Sequence, residues 1–136
     1  MLKKTMTYVD YDGNERTEDF YFNMTKTECV RLQLGTAGGL ENMLRKIIAE
    51  QDTTKIMPIF EDIIRGAYGE KSLDGKRFIK NSELTEAFVQ TEAYSNLIME
   101  LLTDADAASA FIRGIVPPDL GEAMDKAATD SAATAV

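Results

Sequence analysis

From Leu2 to Met24 the chain alternates. Leu2, Lys4, Met6 and Tyr8 fall on one side of a first run, and Phe20, Phe22 and Met24 on one side of a second. A period of two predicts half-buried strands. Asp-Gly-Asn between them supplies residues that tolerate left-handed backbone, so the two runs read as a hairpin. A two-residue Asp12-Gly13 turn would set Phe20 opposite Thr5 and divide the apolar residues between the faces. A three-residue Asp12-Gly13-Asn14 loop sets Met6 opposite Phe20 and Leu2 opposite Met24. Because a slip of one residue turns every side chain over, the three-residue loop is the expected one. Its apolar face covers a helical layer, and Lys3, Thr5, Thr7, Thr17, Asp19 and Asn23 face solvent.

After Met24 the period changes. Thr25-Lys-Thr-Glu28 is a capping box, with Met24 and Cys29 spaced as a hydrophobic staple. It predicts a short helix to about Leu34, stopped by Gly35, with Cys29 on the inner side as an inert thiol. Leu40, Met43, Leu44, Ile47 and Ile48 then mark an amphipathic helix. Asp52, Thr53 or Thr54 can cap the next, which carries Ile56, Met57, Phe60, Ile63, Ile64 and Ala67. Pro58 predicts an irregular or kinked first turn there. Residues 71–80 read as a polar loop turning at Asp74-Gly75. Asn81 or Ser82 caps a long helix over about 83–102, and Asp104 caps a last one with Ala107, Ala108, Phe111, Ile112 and Ile115 inward. Gly114 and Pro117-Pro118 end it.

The pattern predicts an α+β fold, mostly α: an N-terminal hairpin (about 2–24) packed on a bundle of about five helices (about 25–117). Residues 1–117 form one domain. Residues 118–136, poor in large apolar side chains, are expected to be a mostly flexible tail. The long helix is the least settled part. Its second half carries an apolar arc near 200°, wider than one neighbouring helix covers. Either the hairpin or the last helix covers the excess, or Tyr94, Leu97 and Leu101 meet a partner chain, with Met43 and Ile47 as a second partner-binding edge.

Charge and composition narrow the function. The net charge is −8, which opposes binding to nucleic acid or to anionic membranes. No run approaches the roughly 18 apolar residues of a membrane span. One cysteine fits a reducing cytoplasm. Histidine is absent, and with it triads, Cys-His pairs and ordinary zinc sites. Gly35-Thr-Ala-Gly38-Gly39-Leu40 lacks the lysine of a phosphate loop and reads as a helix connector. Asp10, Asp12 and Asn14 mimic the start of a calcium loop, but Glu15 stands where its glycine belongs and Tyr21 where its glutamate belongs. Adjacent acids such as Glu61-Asp62 read as helix caps and dipole partners. No enzyme chemistry, cofactor or metal is expected.

Three stretches carry a resemblance. They are the opening Thr-Tyr-Val-Asp-Tyr-Asp-Gly-Asn-Glu-Arg-Thr-Glu-Asp-Phe-Tyr-Phe, the block from Tyr68 through Gln90-Thr-Glu-Ala-Tyr94, and Thr103-Asp-Ala-Asp-Ala-Ala-Ser-Ala-Phe-Ile-Arg-Gly-Ile-Val-Pro. Together, over about residues 3–117, they resemble the tail assembly chaperones of long-tailed (siphovirus-type) phages and prophages of Gram-positive bacteria. The resemblance implies a chaperone in the host cytoplasm, absent from the mature virion. It would bind the tape measure protein, keep it soluble and help recruit tail tube subunits. It also implies a longer frameshifted form of the chain as a partner and leaves a homo-oligomer open. The competing expectation is a small structural tail or connector protein retained in the particle.

Overall fold

The computed structural model describes residues 1–31, 37–50 and 52–118. Two strands, β1 (Leu2–Val9) and β2 (Glu15–Phe22), lead into three helices, α1 (Lys26–Arg31), α2 (Ala37–Ala49) and α3 (Thr53–Ala67). A second hairpin follows, β3 (Tyr68–Lys71) and β4 (Phe78–Ile79), and then α4 (Ser82–Val89), α5 (Glu92–Thr103) and α6 (Ala105–Ile115). The strands form one antiparallel sheet in the order β1-β2-β3-β4. The fold is therefore α+β and mostly α, as the pattern predicts. The expected helix stop at Gly35 and the expected tail after residue 118 lie outside the described residues.

The first hairpin keeps its predicted faces but not its predicted register. Leu2 pairs with Phe22, Lys4 with Phe20 and Met6 with Glu18, two positions away from the expected alignment. The loop has three residues, but they are Tyr11-Asp12-Gly13: the Asp10 amide donates to Asn14 O at 2.9 Å. The left-handed residue of such a loop falls at its last place, and Gly13 takes it with φ 82°. An even shift leaves each side chain on its own face. Met6, Phe20 and Phe22 are buried, while Thr5 pairs with Asp19 (2.6 Å) and Thr7 with Thr17 (2.9 Å) on the outer side.

Two expectations about the second half of the chain are corrected. The polar loop at 71–80 lies within a short hairpin, whose β3 extends the sheet at Tyr21–Gly69 and Phe22–Tyr68. The single long helix is two helices. Gln90 ends α4, and Thr91 caps α5 through its hydroxyl, which accepts the Tyr94 amide at 3.3 Å. Helical spacing carries on through residues 88–94, so the interruption leaves no mark on periodicity. Other ends are as predicted. Thr25 and Glu28 make the reciprocal capping box (3.0 and 3.2 Å), Met24 and Cys29 are buried beside it, and Asp52 and Asp104 cap α3 and α6. Pro58 sits inside a continuous α3, whose first turn is tightened by the Lys55 amide donating to Asp52 O at 3.0 Å.

Helix α5 lies at the centre, packed on β1, α3, α4 and α6. Phe22, Phe60, Ile64, Leu97 and Ile112 are among the fully buried side chains of the core. An aromatic cluster joins sheet to helices: Phe88 stacks on Tyr68 at 4.3 Å, and Phe22 meets Phe111 edge-on at 5.1 Å. Such pairs add to the area they bury. The exit of β2 is fixed to two helix ends, Asn23 N–H to Ala67 O and Met24 N–H to Ile115 O, each at 2.8 Å.

Candidate protein-interaction surfaces

The five residues expected to meet a partner do not form an open patch. Leu97 is 0 % exposed, Leu101 2 % and Ile47 6 %, all within the core. The hairpin and α6 cover the wide arc of α5, which is the first of the two explanations its sequence allowed. Tyr94 and Met43 are partly buried against the same core. Tyr94 has a further peculiarity: its hydroxyl is buried with no hydrogen bond of good geometry, although Arg65 lies close enough to pull its pKa down. Burial pushes that hydroxyl's pKa up, with the nearby Glu61 carboxylate adding to the rise.

The side chains that remain open lie elsewhere. Val9 (53 % exposed) and Tyr11 (78 %) occupy the tip of the first hairpin, which leans over the start of α5 beside Glu92 and Asn96. Met99 is exposed further along α5. Leu73, at the tip of the second hairpin, is fully exposed. Sequence reasoning placed none of these four at a partner surface. The available signal was an apolar residue inside each turn, Tyr11 before Asp12-Gly13 and Leu73 before Asp74-Gly75.

The first tip is held rigidly. One Asp10 carboxylate oxygen accepts the amides of Asp12 (3.0 Å) and Asn14 (2.9 Å), and the other accepts Arg16 Nε at 2.6 Å. The Arg16 contact, followed by these amides, holds the Asp10 carboxyl below its ordinary range. The carboxylate that opens the calcium-like triplet is thus spent on closing a turn. Behind it Tyr8 donates to Glu18.

A second unforeseen device is Lys80. Its ammonium donates to Glu28 Oε2 (2.5 Å), Asn23 O (2.7 Å) and Gly66 O (2.7 Å), tying the β2 exit, the α1 cap and the end of α3 together. Burial pushes the Glu28 carboxyl up, but the bonds from Lys80 and the Thr25 amide outweigh it, and the net shift is downward. Burial also pushes the Cys29 thiol up, away from the reactive thiolate. Among the described residues no group of three or more His, Cys, Asp or Glu side chains is placed to hold a metal ion, and no helix is long and apolar enough to cross a membrane.

What the molecule presents, then, is a closed core with ordered apolar tips. A family model described as phage tail assembly chaperone matches residues 1–135. The chain belongs to the phage tail assembly chaperone family. No curated protein and no solved structure matches it. Membership of this chaperone family implies an assembly role without catalysis.

Proposed function

We propose that this tail assembly chaperone binds the tape measure protein of a long-tailed phage or prophage of a Gram-positive host. It keeps that protein soluble in the host cytoplasm and helps recruit tail tube subunits around it. The match to the chaperone family over residues 1–135 carries the reading. The physical features support it. An elongated apolar client needs apolar contacts to shield it and charge to keep the complex dispersed, and this chain combines exposed Val9, Tyr11 and Met99 with a net charge of −8. A longer frameshifted form of the same chain would serve as the bridge to the tube subunits, and neither form would stay in the virion.

The client surface we favour runs from the first hairpin tip, Val9 and Tyr11, along the outer side of α5 past Asn96 to Met99. From the surface expected on sequence grounds, Tyr94 and Met43 can reach a client only at their exposed edges. Leu97 and Leu101 would take part only if the hairpin lifted from α5, and Ile47, on α2, only if that helix moved from α6. Co-expression with the tape measure protein, followed by size-exclusion chromatography with light scattering, tests the function. Soluble tape measure eluting with many copies of this chain is the expected result. Tape measure that stays insoluble while this chain runs alone would contradict it, and detection of the chain in purified virions would favour a structural subunit instead.

A further inference from the structure

We propose that the client is gripped as an added strand on the free edge of β1, in a groove that this edge forms with α5 and α6. The inference rests on the proposed client function and names how the client is held. In the order β1-β2-β3-β4, β1 has a neighbour on one side only. The Asp10 amide donates to Asn14 O at 2.9 Å, so these two form a hydrogen-bonded pair. Antiparallel pairs alternate between bonded and non-bonded. Leu2, Lys4, Met6 and Tyr8 therefore bond to β2, whereas Lys3, Thr5, Thr7 and Val9 turn their N–H and C=O outward. Among the described residues no other element bonds to the backbone of these four.

Strand edges are usually blunted by proline, by bulges, by inward charges or by being very short. The opposite edge of the sheet is short, since β4 has only two residues. β1 has eight, with no proline, and pairs with β2 at every one of them without a bulge. Its one inward charge, Lys4, is drawn onto Glu100 of α5 at 3.1 Å. Three clefts of about 340, 310 and 360 Å³ follow one another along this edge. Ala107, Ala110 and Phe111 of α6 line the first, which shares Lys4, Thr5 and Glu100 with the second. The second shares Asn96 with the third, which ends at Val9 and Tyr11. Together they make a groove that accompanies β1 over its whole length.

The walls of the groove define what fits. Within it Lys4 holds Glu100, and Arg16 holds Asp10. Lys3 at one end and Glu92 at the other make no ion pair among the described residues. From Lys3 to Val9 a strand spans about 20 Å. The occupant is therefore an extended segment of about seven residues, acidic at the Lys3 end and basic at the Glu92 end, with small apolar side chains against Ala107 and Ala110. In strand addition the main-chain bonds supply the affinity, and those bonds are blind to sequence. One edge can thus take up successive, dissimilar segments of an elongated client, which a shaped side-chain pocket cannot. The groove also runs into Val9 and Tyr11, the tip of the favoured client surface, and this continuity assigns it to the client.

The test is residue-resolved hydrogen exchange on the purified full chain, alone and in its co-expressed complex with the tape measure protein. The amides of Lys3, Thr5, Thr7 and Val9 should exchange freely in the chain alone and slow about tenfold or more in the complex. Those of Lys4, Met6 and Tyr8, already bonded to β2, should change little. A complex that leaves the four amides as fast as before would overturn the added strand and leave the client reading standing, whereas the absence of any complex would overturn both. Slow exchange of the four in the chain alone, fading on dilution, would assign the edge to a second copy and overturn the proposal as well. Thr5→Pro removes an outward donor without removing a bond to β2, a place where an edge strand tolerates proline. Folded by circular dichroism, it should bind the tape measure protein about tenfold more weakly or worse, since its ring also blocks the approaching strand. Thr5→Val, which keeps the amide, should bind as wild type does. Thr5→Pro binding as well as wild type would contradict the added strand.

Discussion

The two hairpins close with the same devices and reach different ends. In the first, Asp10 accepts the amides of Asp12 and Asn14, and Gly13 takes φ 82°. In the second, Asp74 accepts the Lys76 amide and the Ser72 hydroxyl, and Gly75 takes φ 74°. Yet β1 and β2 have eight residues each, whereas β3 has four and β4 two. The difference lies in what the strands can bury. Leu2, Met6, Phe20 and Phe22 give the first hairpin a continuous apolar face over α5 and α6. Past Tyr68 and Gly69 the second offers exposed Glu70 and Lys71, and pairing with β2 stops. Turn chemistry reverses a chain; burial sets how far the strands run.

The largest expected effect comes from removing the root of the longer hairpin. Phe22→Ala should cost about 3–5 kcal/mol in urea unfolding, since a fully buried ring facing Phe88 and Phe111 leaves a cavity. A loss below about 1 kcal/mol would mean that the aromatic cluster does not hold sheet to helices. Next, Lys80→Met should cost about 2 kcal/mol by stranding Glu28 and two backbone carbonyls. It should also change the acid limb. The Glu28 carboxyl is depressed in the folded state, so its contribution is present above the unfolded carboxylate pKa, about 4, and is lost as pH falls through the folded value. Stability measured from neutral pH downward should therefore fall less steeply in Lys80→Met than in wild type.

Smaller effects sharpen the likeness between the turns. Gly13→Ala and Gly75→Ala should each cost about 1 kcal/mol, because a left-handed backbone penalises Cβ at both and no neighbour crowds either. Thermal midpoints that separate widely would show that one turn is not built like the other. Smallest of all, Tyr11→Ser and Leu73→Ser should leave stability within about 0.5 kcal/mol of wild type. Neither side chain is buried, and the effect of Tyr11→Ser belongs to client binding.

Much of this architecture is legible in the sequence because it rests on local chemistry. Thr25 and Glu28, Asp52 and Asp104 cap helices where their spacing says they should. Alternation from Leu2 to Phe22 reveals the hairpin and its buried face. The exact register is not legible, because alignments two residues apart bury the same side chains, and only the demand for a left-handed residue at Gly13 selects one. Nor is the break at Gln90–Thr91 legible, since Leu84, Phe88, Thr91 and Ser95 keep helical spacing across it. The surface assignment turned on tertiary cover. Leu97 and Leu101 have the same arc whether a partner or the chain's own hairpin lies over them. Lys80 reads as a loop lysine until three separate elements converge on its ammonium.

Hydrogen exchange on the chaperone, free and bound to the tape measure protein, tests most directly whether a closed core offers its outer surface to the client. Added protection at the Val9–Tyr11 tip, with the amides of α5 around Leu97 and Leu101 unchanged, is the expected result. Faster exchange of those α5 amides in the complex would contradict it, for it would mean that the hairpin opens and the core itself meets the client.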